Sequence, residues 1–257
     1  MTAELEQHID KARVAAAFGR AARSYEQHNG LQRTSGEALL ALLPSGTRAS
    51  GLDLGCGSGY FLPALAAKAE RLLALDLSAD MLEQAQKKAS ILPICADMDA
   101  MPLAPDSLDW IFANLCLQWS AAPAAWLRGW SERLKPGGVL VFSTLLDGSL
   151  QELAQAWRAV DDHAHINRFI TRERLQALLD NCGRPARLTV VDVPLGYSRV
   201  KDLLLDLKGI GANQVNGARR NGLLGKAGWQ RLNLAYPKNT AGQYVASYRL
   251  AYGVIYG

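Results

Sequence analysis

Short apolar runs alternate with stretches of helical periodicity through this chain, and that alternation predicts a sheet with helices on both faces. Residues 9 to 24 are rich in alanine and arginine and favour helix, with Phe18 and Tyr25 seven apart and so on one face. Leu31 to Leu43 reads as a second amphipathic helix, stopped by Pro44 and Gly46. A short apolar run then enters Leu52-Asp-Leu-Gly-Cys-Gly-Ser-Gly59, a strand opening into a glycine-rich turn, and Tyr60 to Lys68 has helical composition. Further strands are expected at Arg71–Leu77, Ile91–Ala96, Leu108–Cys116 and Val139–Leu146. Between them lie helices at Ala79–Ser90, capped by Ser78, and at Ala124–Leu134, broken by Lys135-Pro136-Gly137-Gly138.

After Leu150 the pattern stays helical, with Leu153, Trp157 and Val160 at i, i+4 and i+7, and again over Arg172–Leu179. Arg187–Val193 alternates like a strand, and Tyr244–Tyr256 is a fitting last one. Between them, Val200–Leu207 and Trp229–Tyr236 read as helices around a glycine-broken basic stretch, Asn216–Gly228. The expected organisation is a helical segment over 1–45, an α/β core over 46–199, a helical insertion over 200–240 and a returning core strand over 241–257.

Gly55, Gly57 and Gly59 free the turn after the first strand from Cβ atoms, so a ligand can approach the backbone. The next strand ends in Asp76, where a carboxylate can accept two hydrogen bonds from ribose hydroxyls. Dinucleotide sites carry Gly-x-Gly-x-x-Gly; here the spacing is Gly-x-Gly-x-Gly, with Asp53 inside the strand. That combination resembles motif I of the class I S-adenosylmethionine (SAM) methyltransferases. The resemblance implies a Rossmann-like, mostly parallel seven-stranded sheet and SAM as cofactor, whose cationic sulfonium suits an acid near the turn. It implies that Asp97 accepts the adenine amino group, that the Met98 N–H meets a ring nitrogen, and that Asn114 and Leu115 lie beside the methionine moiety. Leu77 and Met81 join the same cofactor set. Phe-x-x-Ala-Ala-x-x-Tyr ahead of the motif resembles an N-terminal lid in which Tyr25 closes over the cofactor.

Composition narrows the reading. With 257 residues the chain can bury a substantial core, and no apolar run nears the ~18 residues of a membrane span. Met1 to Arg13 is polar and charged without an apolar segment, so no secretory signal is expected and a cytoplasmic location is. Cys56, Cys95, Cys116 and Cys182 are far apart, which argues against disulfides and zinc; no metal is expected. Residues 1–147 hold 13 Lys and Arg against 16 Asp and Glu, and 148–257 hold 15 against 8. The second half is therefore net +7 and suits an acidic partner.

Methyl transfer from a sulfonium asks the protein mainly for proximity and a dry site. A hydroxyl or carbon acceptor also needs a general base, and neither His163 nor His165 shows an orienting partner in the sequence. A carboxylate acceptor, with a pKa of about 4, is already ionised. No catalytic side chain is expected beyond positioning.

Outside the SAM motifs the chain resembles the biotin-synthesis O-methyltransferases that esterify malonyl-acyl carrier protein. That resemblance rests on Ala15-Ala-Ala-Phe-Gly-Arg-Ala-Ala22, Tyr25-Glu-Gln-His28, Asn114-Leu115 with Gln118-Trp119, Gly148-Ser149-Leu150, Ala156-Trp157 with Val160-Asp161, His165 with Asn167-Arg168-Phe169, and Leu207-Lys208-Gly-Ile-Gly-Ala212. It implies a malonyl-carrier substrate and a role in making the pimeloyl precursor of biotin. Substrate contacts are expected from Phe18, Trp119, Arg168 and Lys208. Arg172, Arg174, Arg199, Lys201, Arg219, Arg220 and Lys226 are expected to steer the acidic carrier protein. Alternatives are a methyltransferase for a free small acid such as aconitate or for a quinone precursor, and, more remotely, an RNA modifier. Neither nucleic acid nor membrane is an expected partner, and the sequence leaves the oligomeric state open.

Overall fold

The computed structural model describes residues 9–22, 24–163, 165–209 and 225–257. Strands β1 (Arg48–Leu54), β2 (Ala69–Asp76), β3 (Leu92–Cys95), β4 (Leu108–Ala113), β5 (Leu134–Leu145), β6 (Ala186–Tyr197) and β7 (Tyr244–Tyr256) form one sheet in the order β3-β2-β1-β4-β5-β7-β6. β1 to β5 pair in parallel, and β7 runs antiparallel between β5 and β6. This is the expected seven-stranded, mostly parallel arrangement. The strand order reverses between β1 and β4, so the segments leaving them diverge and open a crevice at their carboxyl ends.

Nine helices are described: α1 (Lys11–Ala21), α2 (Gly30–Leu40), α3 (Leu62–Ala66), α4 (Ala79–Ala85), α5 (Pro123–Ser131), α6 (Gln151–Arg158), α7 (Arg172–Asp180), α8 (Val200–Gly209) and α9 (Lys226–Ala235). Side-chain caps start three of them, where Asp10, Ser78 and Thr171 accept the N–H groups of Arg13, Met81 and Arg174. One core contains Leu31 and Leu39 of α2, Leu62 of α3, Leu153 of α6, Leu203 of α8 and Leu232 of α9. A second contains Trp126 and Trp130 of α5 with Leu175 and Leu179 of α7. The segment between β6 and β7 thus contributes α8 and α9 to the first core.

Several boundaries differ from the pattern. The first helix ends at Ala21, so Phe18 and Tyr25 do not share a helix face; Tyr25 instead opens a separate 3-10 turn, Tyr25–Gln27. The helix expected over Tyr60–Lys68 is confined to α3, entered from Gly59 at φ +80° and primed by Pro63. α4 stops five residues short of Ser90, where the Lys87 and Lys88 N–H groups reach back three residues and tighten the turn. β5 starts at Leu134, not Val139, with Gly137 at φ +76° and a register shift against β4 between Leu108 and Trp110. β6 runs four residues past Val193. The basic stretch expected from Asn216 lies outside the described residues as far as 224.

β1 and β4 meet at Gly51, which pairs with Trp110. The Trp110 ring covers the glycine so closely that a Cβ there would sit 2.1 Å from it, and the indole N–H donates to the Lys68 carbonyl at 3.1 Å. Both contacts fix the strands flanking the crevice. Gly51→Ala should therefore destabilise the fold by about 1–3 kcal/mol through overpacking. A urea midpoint equal to the wild type's would show that Trp110 is free to move aside.

Candidate active site

A cleft of about 640 Å³, counting its open mouth, lies at the carboxyl ends of β1, β2 and β4 beneath α1. Its floor is the turn after β1. The N–H groups of Gly55 and Cys56 both donate to the Leu75 carbonyl, at 2.8 and 3.0 Å, which binds the turn to β2. Gly57 has φ +53°, and a Cβ there would find only the Tyr25 ring, at 3.8 Å. The turn is therefore a cradle that a side chain would fill. Gly59 serves differently: a Cβ would lie 2.8 Å from the Cα of Ala85, so this glycine lets α4 pack against the turn. It does not line the cleft, and neither do Asp53 or Met81.

Asp76, at the end of β2, joins two turns. One carboxylate oxygen accepts the Gly57 N–H at 2.9 Å and the other the Ser78 N–H at 2.8 Å. Each oxygen keeps a second lone pair, so the carboxylate retains acceptor capacity toward the cleft. Burial raises the Asp76 pKa, while these backbone donors oppose the rise. Asp53, buried within β1, is pushed up to about 8, first by desolvation and then by the Asp76 charge. Burial, with the same acids, also pushes the thiols of Cys56 and Cys116 well up.

The β4 side is held by a chain of hydrogen bonds. Ser35 of α2 donates to the Ser143 hydroxyl at 2.9 Å, which donates to Asn114 Oδ1 at 2.8 Å, and Asn114 Nδ2 donates to the Gln32 carbonyl at 2.9 Å. The Leu115 N–H also donates to the Ser143 hydroxyl, at 2.9 Å, which supports Leu115 at φ +51°. Asn114 and Leu115 are thus fixed by α2 and β5 as they line the cleft.

Over the top, Phe18 meets Tyr25 at 6.3 Å and Trp119 edge-on at 5.5 Å between ring centroids. All three line the cleft, with Gly55, Gly57, Asp76, Leu77, Asp97 and Met98. Burial raises the Tyr25 hydroxyl pKa, and the Asp76 charge adds to the rise. Polar contacts tie this N-terminal segment to three parts of the body. Lys11 reaches Asp97 at 2.8 Å and Asp99 at 2.9 Å; Glu26 pairs with Lys88 and accepts from Ser58; His28 meets Asp206 of α8 at 2.7 Å. Sequence reasoning missed Lys11, Glu26 and His28 as contacts. For Lys11 a signal existed, because it shares the stripe of Val14 and Phe18 at i, i+3 and i+7, an odd place for a lone cation.

The remaining expected residues lie elsewhere. Arg168 and Lys208 are exposed and do not line the cleft; Arg172, Arg174, Arg199, Lys201 and Lys226 are also exposed, and Arg219 and Arg220 lie outside the described residues. His165, expected to lack an orienting partner, has one. Its Nε2 lies 2.7 Å from Asp161, and its ring stacks on Trp157 at 3.7 Å. The hydrogen bond from His165 holds the Asp161 carboxyl down at about 2. Neither residue lines the cleft. Among the described residues no group of three His, Cys, Asp or Glu could hold a metal ion.

The inverted last strand, the glycine cradle and the acid at the end of β2 define a SAM-dependent methyltransferase. A family model described as a methyltransferase domain matches residues 52–142, from β1 into β5. The malonyl-acyl carrier protein O-methyltransferase of Enterobacter lignolyticus is 40% identical over 248 residues, covering 96% of this chain and 98% of that protein. The biotin biosynthesis bifunctional protein BioHC of Cellvibrio japonicus is 37% identical over 252 residues, 96% of this chain and 50% of that one. Among solved structures, the YcgJ protein of Bacillus subtilis shares the fold, with TM-score 0.62 and 14% identity over 87% of this chain and 98% of its own. The chain belongs to the malonyl-acyl carrier protein O-methyltransferase family.

Because the Asp53 pKa is higher folded than its ordinary 3.8, the group favours the fold at low pH and loses that contribution as pH rises through about 8. Asp53→Asn should therefore gain stability relative to the wild type between pH 5 and pH 9, by more than about 1 kcal/mol. Parallel urea titrations that keep a constant difference would place the titrating group elsewhere. Gly57→Val should fold yet lose SAM binding in calorimetry, since its side chain would occupy the cradle; unchanged affinity would move the site.

Proposed function

We propose that this protein transfers the methyl group of SAM to the free carboxylate of malonyl-acyl carrier protein, forming the methyl ester in the early part of biotin synthesis. The observation that carries the reading is the lidded cleft, in which the open glycine cradle and Asp76 face Tyr25. In this reading Asp76 accepts from the ribose hydroxyls, Asp97 from the adenine amino group, and Gly55, Asn114 and Leu115 surround the methionine end. Asp53, Gly59 and Met81 support those contacts from behind. SAM, when bound, supplies an electrophilic methyl on a good leaving group. The chain's own residues supply orientation and dryness: Phe18, Tyr25 and Trp119 close an aromatic wall over the cleft and exclude water.

The acceptor carboxylate, ionised near neutrality, needs donors and alignment but no base. We assign that task to Arg168 first, because a guanidinium grips a carboxylate with two parallel bonds, and to Lys208 second. Both stand outside the cleft, Arg168 between α6 and α7 and Lys208 in the last turn of α8, so the assignment requires these segments to reach over the acceptor. We assign Arg172, Arg174, Arg199, Lys201, Lys226, Arg219 and Arg220 to steering the acidic carrier protein. Work in the cytoplasm follows from a carrier-bound substrate, and no described helix is long and apolar enough to cross a membrane.

The test is methyl transfer to malonyl-carrier protein, malonyl-CoA and a free small acid in parallel. The carrier-bound substrate should be used best, and replacing Arg172 and Arg174 together should slow it mainly through the encounter rate, less at high salt. Faster transfer to the free acid would favour the small-acid reading. Arg168→Ala should slow malonyl methylation on either carrier by about 10-fold or more while SAM still binds. A wild-type rate there would hand the clamp to Lys208.

A further inference from the structure

Asp97 caps the 3-10 turn Met98–Ala100 at the exit of β3 and Asp99 lies within it, and their oxygens are unequally used. On Asp99 both oxygens are engaged: one accepts from the Ser120 hydroxyl at 2.6 Å, the other from the Ala121 N–H at 2.9 Å and from Lys11 at 2.9 Å. On Asp97, Oδ1 alone carries the load, accepting from Lys11 at 2.8 Å and from the Asp99 N–H at 2.9 Å. Asp97 Oδ2 has no hydrogen-bond partner among the described residues. Lys11 and Asp97 both line the cleft, and the Lys11 side chain is only 22% exposed. Lys11 is also the first residue of α1, whose Val14 and Phe18 line the same cleft.

We propose that Lys11 is a positioning residue that sets the purine selectivity of the cofactor site. By engaging Oδ1 of Asp97 beside the Asp99 N–H, Lys11 adds a second hold on the carboxylate and keeps Oδ2 as a fixed acceptor for an exocyclic amino group. This rests on the reading that Asp97 meets the adenine. An acceptor held in one place rewards a 6-amino group and repels a 6-oxo group, whereas one free to rotate can turn away from the oxo group and discriminates less. The same contact makes docking of α1 and orientation of Asp97 one event, so the lid helps to choose the base that it covers. Among the described residues the carboxylates facing Lys11 are Asp97 and Asp99, so its charge is shared between the two acids.

Calorimetric titration with S-adenosylhomocysteine and with S-inosylhomocysteine, which carries an oxo group in place of the amino group, separates the possibilities. Wild type should prefer the adenosyl compound by about 10- to 100-fold, the worth of one hydrogen bond to a charged group. Lys11→Met, which keeps the apolar stem, should bring the two affinities within about threefold, chiefly by weakening the adenosyl compound, and Lys11→Arg should restore most of the preference. Glu26→Gln, which loosens the lid at its other end, should weaken both compounds alike and keep their ratio. An unchanged ratio in Lys11→Met, with both affinities lower, would overturn the proposal and leave Lys11 as a lid contact only. A wild type without preference would instead remove Asp97 from the adenine, taking this inference with it while leaving the rest of the cofactor site standing. Lys11→Gln carries the same comparison should the methionine variant not fold.

Discussion

The cleft depends on one partly buried carboxylate. Asp76 holds the turn after β1 through Gly57 and the cap of α4 through Ser78, so a single side chain sets the distance between the two segments that must cradle a ligand. Burying that charge is unfavourable, and the backbone donors offset the cost. The arrangement is stable only while both turns are in place. It also explains why Gly57 is glycine: a left-handed residue there turns its N–H toward Asp76 while leaving the cradle open.

The lid is held in a different way. Its polar ties are partly exposed, with the Asp97 and Asp206 side chains about a third accessible, and contacts of that kind contribute about 0–1 kcal/mol each. The aromatic contacts of Phe18 with Tyr25 and Trp119 add about 0.5–1.5 kcal/mol per pair. Several weak ties spread over Asp97, Lys88 and Asp206 hold α1 and the turn after it less firmly than one buried tie would. The β4 side is different. There the chain runs from the buried Ser35 and Ser143 to Asn114 at the cleft surface without a break, and it fixes that wall.

What the sequence made legible follows from how local each signal is. The strands themselves, the glycine turn and the acid at the end of β2 are written in runs of a few residues, and the cleft brings together Gly55, Gly57, Asp76, Asp97, Met98, Asn114 and Leu115. Gly59 carries the same letter as Gly57 but faces Ala85, because only the packing of α4 decides which side of the turn is open. Lys11 and Asp97 are 86 residues apart and His28 and Asp206 are 178 apart; no spacing rule joins such partners. His165 was misread for a related reason. Its orienting acid lies only four residues back, but the irregular segment after α6 gives no helical period from which to infer that the two face each other.

The protonation states in the cleft decide what kind of chemistry it can host. Burial and the neighbouring acids push the hydroxyl of Tyr25 and the thiols of Cys56 and Cys116 upward, so near neutrality they hold their protons and are poor bases and poor nucleophiles. Asp76 has both oxygens engaged by backbone donors, and Asp97 has one oxygen engaged by Lys11. Asp53 titrates near 8 but stands inside β1 away from the cleft surface, where it can tune the local field and cannot reach an acceptor. Groups so committed bind and orient. An acceptor that arrives with its proton already lost is the one such a cleft serves best, and a carboxylate is that acceptor.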